Sequence, residues 1–121
     1  MRFGHVPPAH AEFLERALGI LAQDPRLLGV AAGGSFLARA MDEHSDIDLV
    51  IAVDAGSHAE VMGERMAIAR GLGQLLAAFT GEHVGDPRLV ICLYGDPLLH
   101  VDLKFLRPDE LAQRVEDPEV L

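Results

Sequence analysis

The run Asp46-Ile47-Asp48-Leu49-Val50-Ile51-Ala52-Val53 leaves this chain little freedom. Side chains of a strand alternate between faces, so Asp46 and Asp48 point one way. Ile47, Leu49, Ile51 and Val53 point the other way, into a core. The two carboxylates then stand roughly 7 Å apart at their Cα atoms, from the rise per residue. Their charges repel, and each resists burial. A hard divalent cation between them removes both penalties, and an all-oxygen donor set suits Mg²⁺ or Mn²⁺ rather than zinc.

Val101-Asp102-Leu103 repeats the arrangement with one acid in an apolar frame. An acid in the middle of an apolar strand is costly unless it has a partner. Three strand-borne aspartates can hold two cations about 3.5–4 Å apart, the clamp used in phosphoryl and nucleotidyl transfer. The plainer reading makes them strand-end aspartates that accept backbone hydrogen bonds. It accounts for any one of them alone better than for all three.

The rest of the pattern places these strands. Phe13, Leu14, Ala17, Leu18 and Leu21 recur at helical spacing, and Asp24-Pro25 stops the run. Leu27 to Ala32 reads as a short buried strand broken by Gly33-Gly34. Ser35 caps a short helix over Phe36 to Met41. Beyond the Asp46 to Val53 strand, the spacing predicts one long helix from about His58 to Phe79, with Val61, Met62, Met66, Leu72, Leu75, Leu76 and Phe79 inward. Gly63, Gly71 and Gly73 weaken that helix by about 1 kcal/mol each relative to Ala, and they mark a break or a close packing point. Thr80 to Arg88 reads as loop. Leu89 to Tyr94 and Leu98 to Leu106 read as a hairpin around Gly95-Asp96-Pro97. Pro108 opens a last helix, Asp109 to Val115. The order is helix, strand, short helix, strand, long helix, strand, strand, helix. The expected fold is a small α/β (α+β) domain over residues 1–121, with a mixed sheet flanked by helices.

Ala31-Ala32-Gly33-Gly34-Ser35 follows a strand and opens a helix. Glycines let backbone N–H groups approach an anion closely, and a helix start adds free N–H groups and a positive dipole end. The Ser35 hydroxyl can donate to a phosphate oxygen. Asp46 follows 11 positions after Ser35.

Gly34-Ser35, then Asp46-Ile47-Asp48, then Val101-Asp102-Leu103 resembles the polymerase-beta-like nucleotidyltransferase superfamily. The stretch from Gly33 to Val53 looks most like bacterial small-molecule nucleotidyltransferases of the aminoglycoside and lincosamide kind. The resemblance covers roughly Leu27 to Leu106. It implies the nucleotidyltransferase fold and an enzyme that uses Mg²⁺ (or Mn²⁺) and a nucleoside triphosphate, usually ATP. Asp46 and Asp48 would bind both metals, and Asp102 would bind the catalytic metal and help deprotonate an acceptor hydroxyl. Gly33, Gly34 and Ser35 would cradle phosphate. Many members carry Arg three residues after the motif serine and Gly at the fourth; this chain has Ala38 and then Arg39. Arg39 reaches phosphate or is a surface charge. Lys104 shares a strand face with Asp102 and His100, where it neutralises triphosphate charge or pairs with the aspartates. His100 reads as a hydrogen-bonded strand histidine more readily than as a base, and His44 lies close enough to the motif to touch nucleotide.

The acceptor implied is a hydroxyl of a small molecule such as an antibiotic. The alternative is a minimal nucleotidyltransferase acting as an antitoxin that binds or adenylylates a partner toxin. A non-catalytic nucleotide-binding module sits badly with an intact set of aspartates. Many small-molecule enzymes of this type continue into a helical second domain. The resemblance thus leads one to expect either that this chain is the N-terminal part of a longer protein or that it completes its acceptor site through a homodimer or a partner protein.

Composition narrows the partners. Lys and Arg total 10 against 19 Asp and Glu, a net charge of −9. Phosphate neutralisation needs clustered Lys and Arg, so duplex nucleic acid is not the expected ligand. A small anion remains compatible if bound cations reverse the local sign. The single cysteine, Cys92, lies in the apolar run Leu89 to Leu93 and reads as a buried thiol. Neither a signal peptide nor a membrane span of roughly 18 apolar residues is evident, so a cytoplasmic protein without membrane contact is expected.

Overall fold

The computed structural model describes residues 7–32, 46–81, 86–95, 98–111 and 119–120. Helix α1 spans Pro8–Leu21, with proline in its first turn, where a missing N–H costs nothing. It buries Phe13, Leu14, Ala17 and Leu21. Strand β1, Leu27–Ala32, follows the Asp24-Pro25 turn. Asp24 Oδ1 accepts from the Arg26 N–H and from Arg26 Nε, while the guanidinium also reaches Glu60 and Glu64. That fan of bonds ties the start of β1 to helix α2, His58–Gly71. Strand β2, Ile47–Val53, and a 3-10 turn at Ala55–Ser57 come between them.

Next come strands β3, Gln74–Gly81, β4, Asp86–Gly95, and β5, Leu99–Leu106. A short helix α3, Pro108–Leu111, and a two-residue strand β6, Glu119–Val120, complete the described elements. The six strands form one mixed sheet in the order β3-β4-β5-β2-β1-β6. β2 and β5 run parallel; the other neighbours run antiparallel. This is a mixed α and β architecture, as the pattern of elements predicted.

The core lies on one face of the sheet. Ile47, Leu49, Ile51 and Val53 of β2 and Val101, Leu103 and Phe105 of β5 are buried there with Val90, Cys92 and Tyr94 of β4. α1 contributes Phe13 and Leu14 to this cluster, and α2 contributes Val61 and Ala69. The Phe13 and Tyr94 rings meet at 4.9 Å between centroids. The Tyr94 hydroxyl donates to the Ala69 carbonyl at 2.6 Å, which fastens α2 to β4. Burial pushes the Cys92 thiol up to about 11, in keeping with its place in the core.

The helix expected from His58 to Phe79 is overturned. It ends at Gly71, and Gln74–Gly81 is a strand paired antiparallel with β4. Gly71 and Gly73 weaken the helix, as their low propensity requires. At the break the buried Leu72 donates its N–H to Ala69 and its carbonyl accepts from Arg16 Nε at 3.0 Å. Past that point Leu75, Leu76, Ala77, Ala78 and Phe79 form an unbroken apolar run, and main-chain bonds to β4 decide its conformation. The loop expected over Thr80 to Arg88 shrinks accordingly, because β3 reaches Gly81 and β4 starts at Asp86. The expected Ser35-capped helix and most of the last one fall outside the described residues. Among the described residues, no helix is long and apolar enough to cross a membrane.

Candidate functional site

The register of the parallel pair builds the site. Ile47 faces Val101, Asp48 faces Asp102 and Leu49 faces Leu103 across β2 and β5. Adjacent strands lie roughly 4.8 Å apart, so Asp48 and Asp102 are closer to each other than Asp46 is to Asp48 along one strand. The odd-numbered neighbours in both strands are buried in the core, which turns both acids onto the opposite face. Asp48 is half-buried; the Asp102 side chain keeps 28% of its exposure and Asp46 keeps 53%.

Carrying the register back one step puts Asp46 beside His100. His100 Nε2 lies 3.0 Å from Asp102 Oδ1 in hydrogen-bond geometry, and Nδ1 lies 3.4 Å from Asp46 Oδ1. One imidazole thus touches acids from both strands. Lys104 occupies the next alternate position of β5, opposite Val50 and Leu89. On the other side of β5, Ile91 faces Asp102 and Leu93 faces His100, so the acids stand beside an apolar strip.

The electrostatics follow. Burial, the charge of Asp102, a carboxyl-to-carboxyl hydrogen bond with it and the charge of Asp46 push the Asp48 carboxyl up to about 6, with His100 pulling the other way. Two unit charges roughly 5 Å apart repel by on the order of 3 kcal/mol at an effective dielectric near 20. That exceeds the net worth of a single hydrogen bond, about 1 kcal/mol, so the repulsion favours the protonated form of Asp48 up to about pH 6. Among the described residues no group of three or more His, Cys, Asp or Glu side chains is already disposed as a metal cage. Asp46 and Asp102 are turned toward His100 instead.

Of the residues singled out in the sequence, Asp46, Asp48 and Asp102 come together, with Lys104 on the same face. Gly33, Gly34, Ser35 and Arg39 lie outside the described residues. β1 ends at Ala32, which faces Leu49, one position past Asp48. His100, expected as a hydrogen-bonded strand histidine on the face of Asp102 and Lys104, is found so, with Asp102 as its partner. A cavity of about 300 Å³ lined by Leu18, Leu21, Leu27, Leu28 and Val30 sits at the opposite end of β1, and among the described residues no charged side chain lines it.

In comparisons with known proteins, no protein-family model matches this chain, and no curated protein matches it at a significant level.

Proposed function

We propose that this protein is a metal-dependent nucleotidyltransferase that moves a nucleoside monophosphate, AMP from ATP, onto a hydroxyl of a small molecule. The observation that carries the reading is the parallel register that sets Asp48 opposite Asp102, with Asp46 one alternate position away. Together with the Gly33-Gly34-Ser35 turn in the sequence, it matches the resemblance drawn from the motifs.

The donor set fits divalent cations. All three side chains offer oxygen, and burial together with the charges of Asp102 and Asp46 raises the Asp48 carboxyl to about 6, a penalty that a bound cation would relieve. Asp46 and Asp48 would hold both cations, and Asp102 one of them. Bound cations would neutralise the triphosphate and favour the ionised acceptor hydroxyl. The acceptor oxygen forms a bond to the α-phosphorus, the bond to the bridging oxygen breaks, and pyrophosphate leaves with its electron pair. Asp102 accepts the hydroxyl proton. Lys104 stands two residues on along the same face, where a cationic side chain offsets the charge of the triphosphate. The rate gain comes from alignment and charge compensation rather than from a covalent intermediate.

Incubation of the full chain with α-labelled ATP, Mg²⁺ and a panel of hydroxyl compounds tests this. Wild type is expected to yield labelled acceptor and pyrophosphate. Asp48→Asn is expected to lose transfer by about 10³-fold or more while its circular dichroism is unchanged. Equal transfer by the two proteins removes Asp48 from the mechanism, and no transfer to any acceptor by wild type counts against the reading as a whole.

A further inference from the structure

The sheet face that carries the acids continues past them. Val90, Cys92 and Tyr94 of β4 are buried in the core, so Leu89, Ile91 and Leu93 point to the acid side. Ile91 faces Asp102 and Leu93 faces His100 across the antiparallel pair. One strand farther out, Leu75 and Ala78 pack on the core, while Phe79 faces Ile91 and Ala77 faces Leu93 on the acid side. Leu89, Ile91 and Leu93 are each partly exposed, Ala77 is exposed and Phe79 is 49% exposed. We propose that this apolar strip seats the acceptor, a small alcohol with a flat hydrocarbon body that lies along Ile91 and Leu93 with its hydroxyl at Asp102. The proposal rests on the nucleotidyltransferase reading of the acids and names the class of acceptor they act on.

Continuity with the acids is the first argument. Side chains directly opposite in an antiparallel pair stand about 5 Å apart at Cβ. A molecule resting on Ile91 is therefore within reach of Asp102, which takes the hydroxyl proton in the scheme above. Size is the second. Neighbouring strands lie roughly 4.8 Å apart, so the span from β5 to β3 is roughly 10 Å. That length suits a body of one or two fused rings. A protein partner needs more, because a stable interface takes roughly 800 Å² and about twenty residues per side. Five side chains, three of them partly covered, fall far short of that, which argues against a second copy of the chain as the occupant. The third argument is chemistry. None of the five carries a polar side-chain atom. An amino sugar would set ammonium and hydroxyl groups against carbons that cannot bond them, and their hydration would be lost without return. A hydrocarbon ring has no such penalty and gains by leaving water. The cavity beside Leu28 is also apolar, but it lies at the far end of β1 and serves as the comparison site.

Naphthylmethanol is the probe, because its fused rings fluoresce and the chain has no Trp to compete. Added to the full chain without metal or nucleotide, it is expected to bind saturably with blue-shifted emission. Ile91→Thr and Leu93→Thr suit a strand, and each is expected to weaken binding by on the order of ten-fold. Leu28→Thr, at the comparison cavity, is expected to bind as wild type does. With α-labelled ATP and Mg²⁺, wild type is expected to prefer naphthylmethanol to glycerol and glucosamine. Ile91→Thr is expected to raise the KM for naphthylmethanol about ten-fold with kcat nearly unchanged, as loss of uniform binding requires. The proposal is overturned, with the nucleotidyltransferase reading left standing, if glycerol or glucosamine is labelled as efficiently as naphthylmethanol. The same holds if both Thr variants match wild type in binding and KM, or if only Leu28→Thr loses the probe. If wild type labels no acceptor at all, the reading of the acids falls and the acceptor assignment falls with it. Circular dichroism checks the fold of each variant, and if one Thr variant unfolds the other decides.

Discussion

The two faces of the β2–β5 pair make opposite demands on the same backbone. On the covered face, Ile47, Leu49, Ile51, Val101, Leu103 and Phe105 all leave water and all favour folding. On the other face, folding brings Asp48 against Asp102 and His100 against both Asp46 and Asp102. Val50 and Leu106 are buried on that face too, but at the acids the chain works against charge repulsion. The lesson is that the covered face makes the acid face possible. A core strong enough to hold the register can force like charges together, and forced proximity is what a cation site requires.

The comparison breaks most visibly if the covered face is damaged. Phe105 is fully buried at the end of β5. Phe105→Ala is expected to cost about 3–5 kcal/mol, the transfer term plus the cavity left behind. Against a total of roughly 5–15 kcal/mol for a domain, urea denaturation should show a large drop in midpoint with little change in slope. A loss under about 1 kcal/mol would mean that the core does not hold this register.

The acid face should respond in the opposite direction. The folded Asp48 carboxyl titrates at about 6 against an ordinary value of 3.8. A raised acid stabilises the fold when protonated, so its contribution is full below about 4 and is lost as pH rises through about 6. With metal removed by chelation, wild type should therefore lose on the order of 2 kcal/mol between pH 4 and pH 7 relative to Asp48→Asn, which lacks the titrating group. At pH 7 the Asn variant should melt higher than wild type. The difference between the two melting curves isolates this one group from the chain's other acids. Parallel pH profiles for the two proteins would show that Asp48 is not crowded.

These effects also explain what could be read from the sequence. The acid-bearing strands were legible because an aspartate in an apolar alternation admits one orientation once the apolar side is buried. Their register was not, since nothing local to residues 46–53 says that Asp48 should face Asp102. That pairing comes from the sheet order, in which β5 lies beside β2 rather than only beside β4. β3 was misread for a related reason. The apolar run from Leu75 to Phe79 fits a helix or a strand equally, and the long-range partner β4 arbitrates. β6 has only two residues, and its pairing with Ala31 and Ala32 leaves no local signature. The candidate site was legible as far as its acids reached. His100 was legible as a hydrogen-bonded histidine on the face of Asp102, but its approach to Asp46 follows only from the register of β2 and β5.

A smaller test asks whether the covered face tolerates polarity when it is satisfied. Tyr94 is buried beside Cys92 and Phe13, yet its hydroxyl has a partner in the Ala69 carbonyl. Burial also holds the phenol in its protonated, donating form, far above its ordinary range. Tyr94→Phe keeps the ring and removes that one bond. The Ala69 carbonyl is not left alone, because it also accepts from the Leu72 N–H at 3.2 Å. The cost should therefore be near that of one neutral hydrogen bond, about 1 kcal/mol, rather than the larger penalty of a stranded buried acceptor. Hydrogen exchange should locate the loss at the end of α2 around Ala69 to Leu72, with β2 and β5 keeping their protection. If exchange quickens equally in β2 and β5, the bond supports the whole sheet and not merely the docking of α2, and the two faces are less independent than their chemistry suggests.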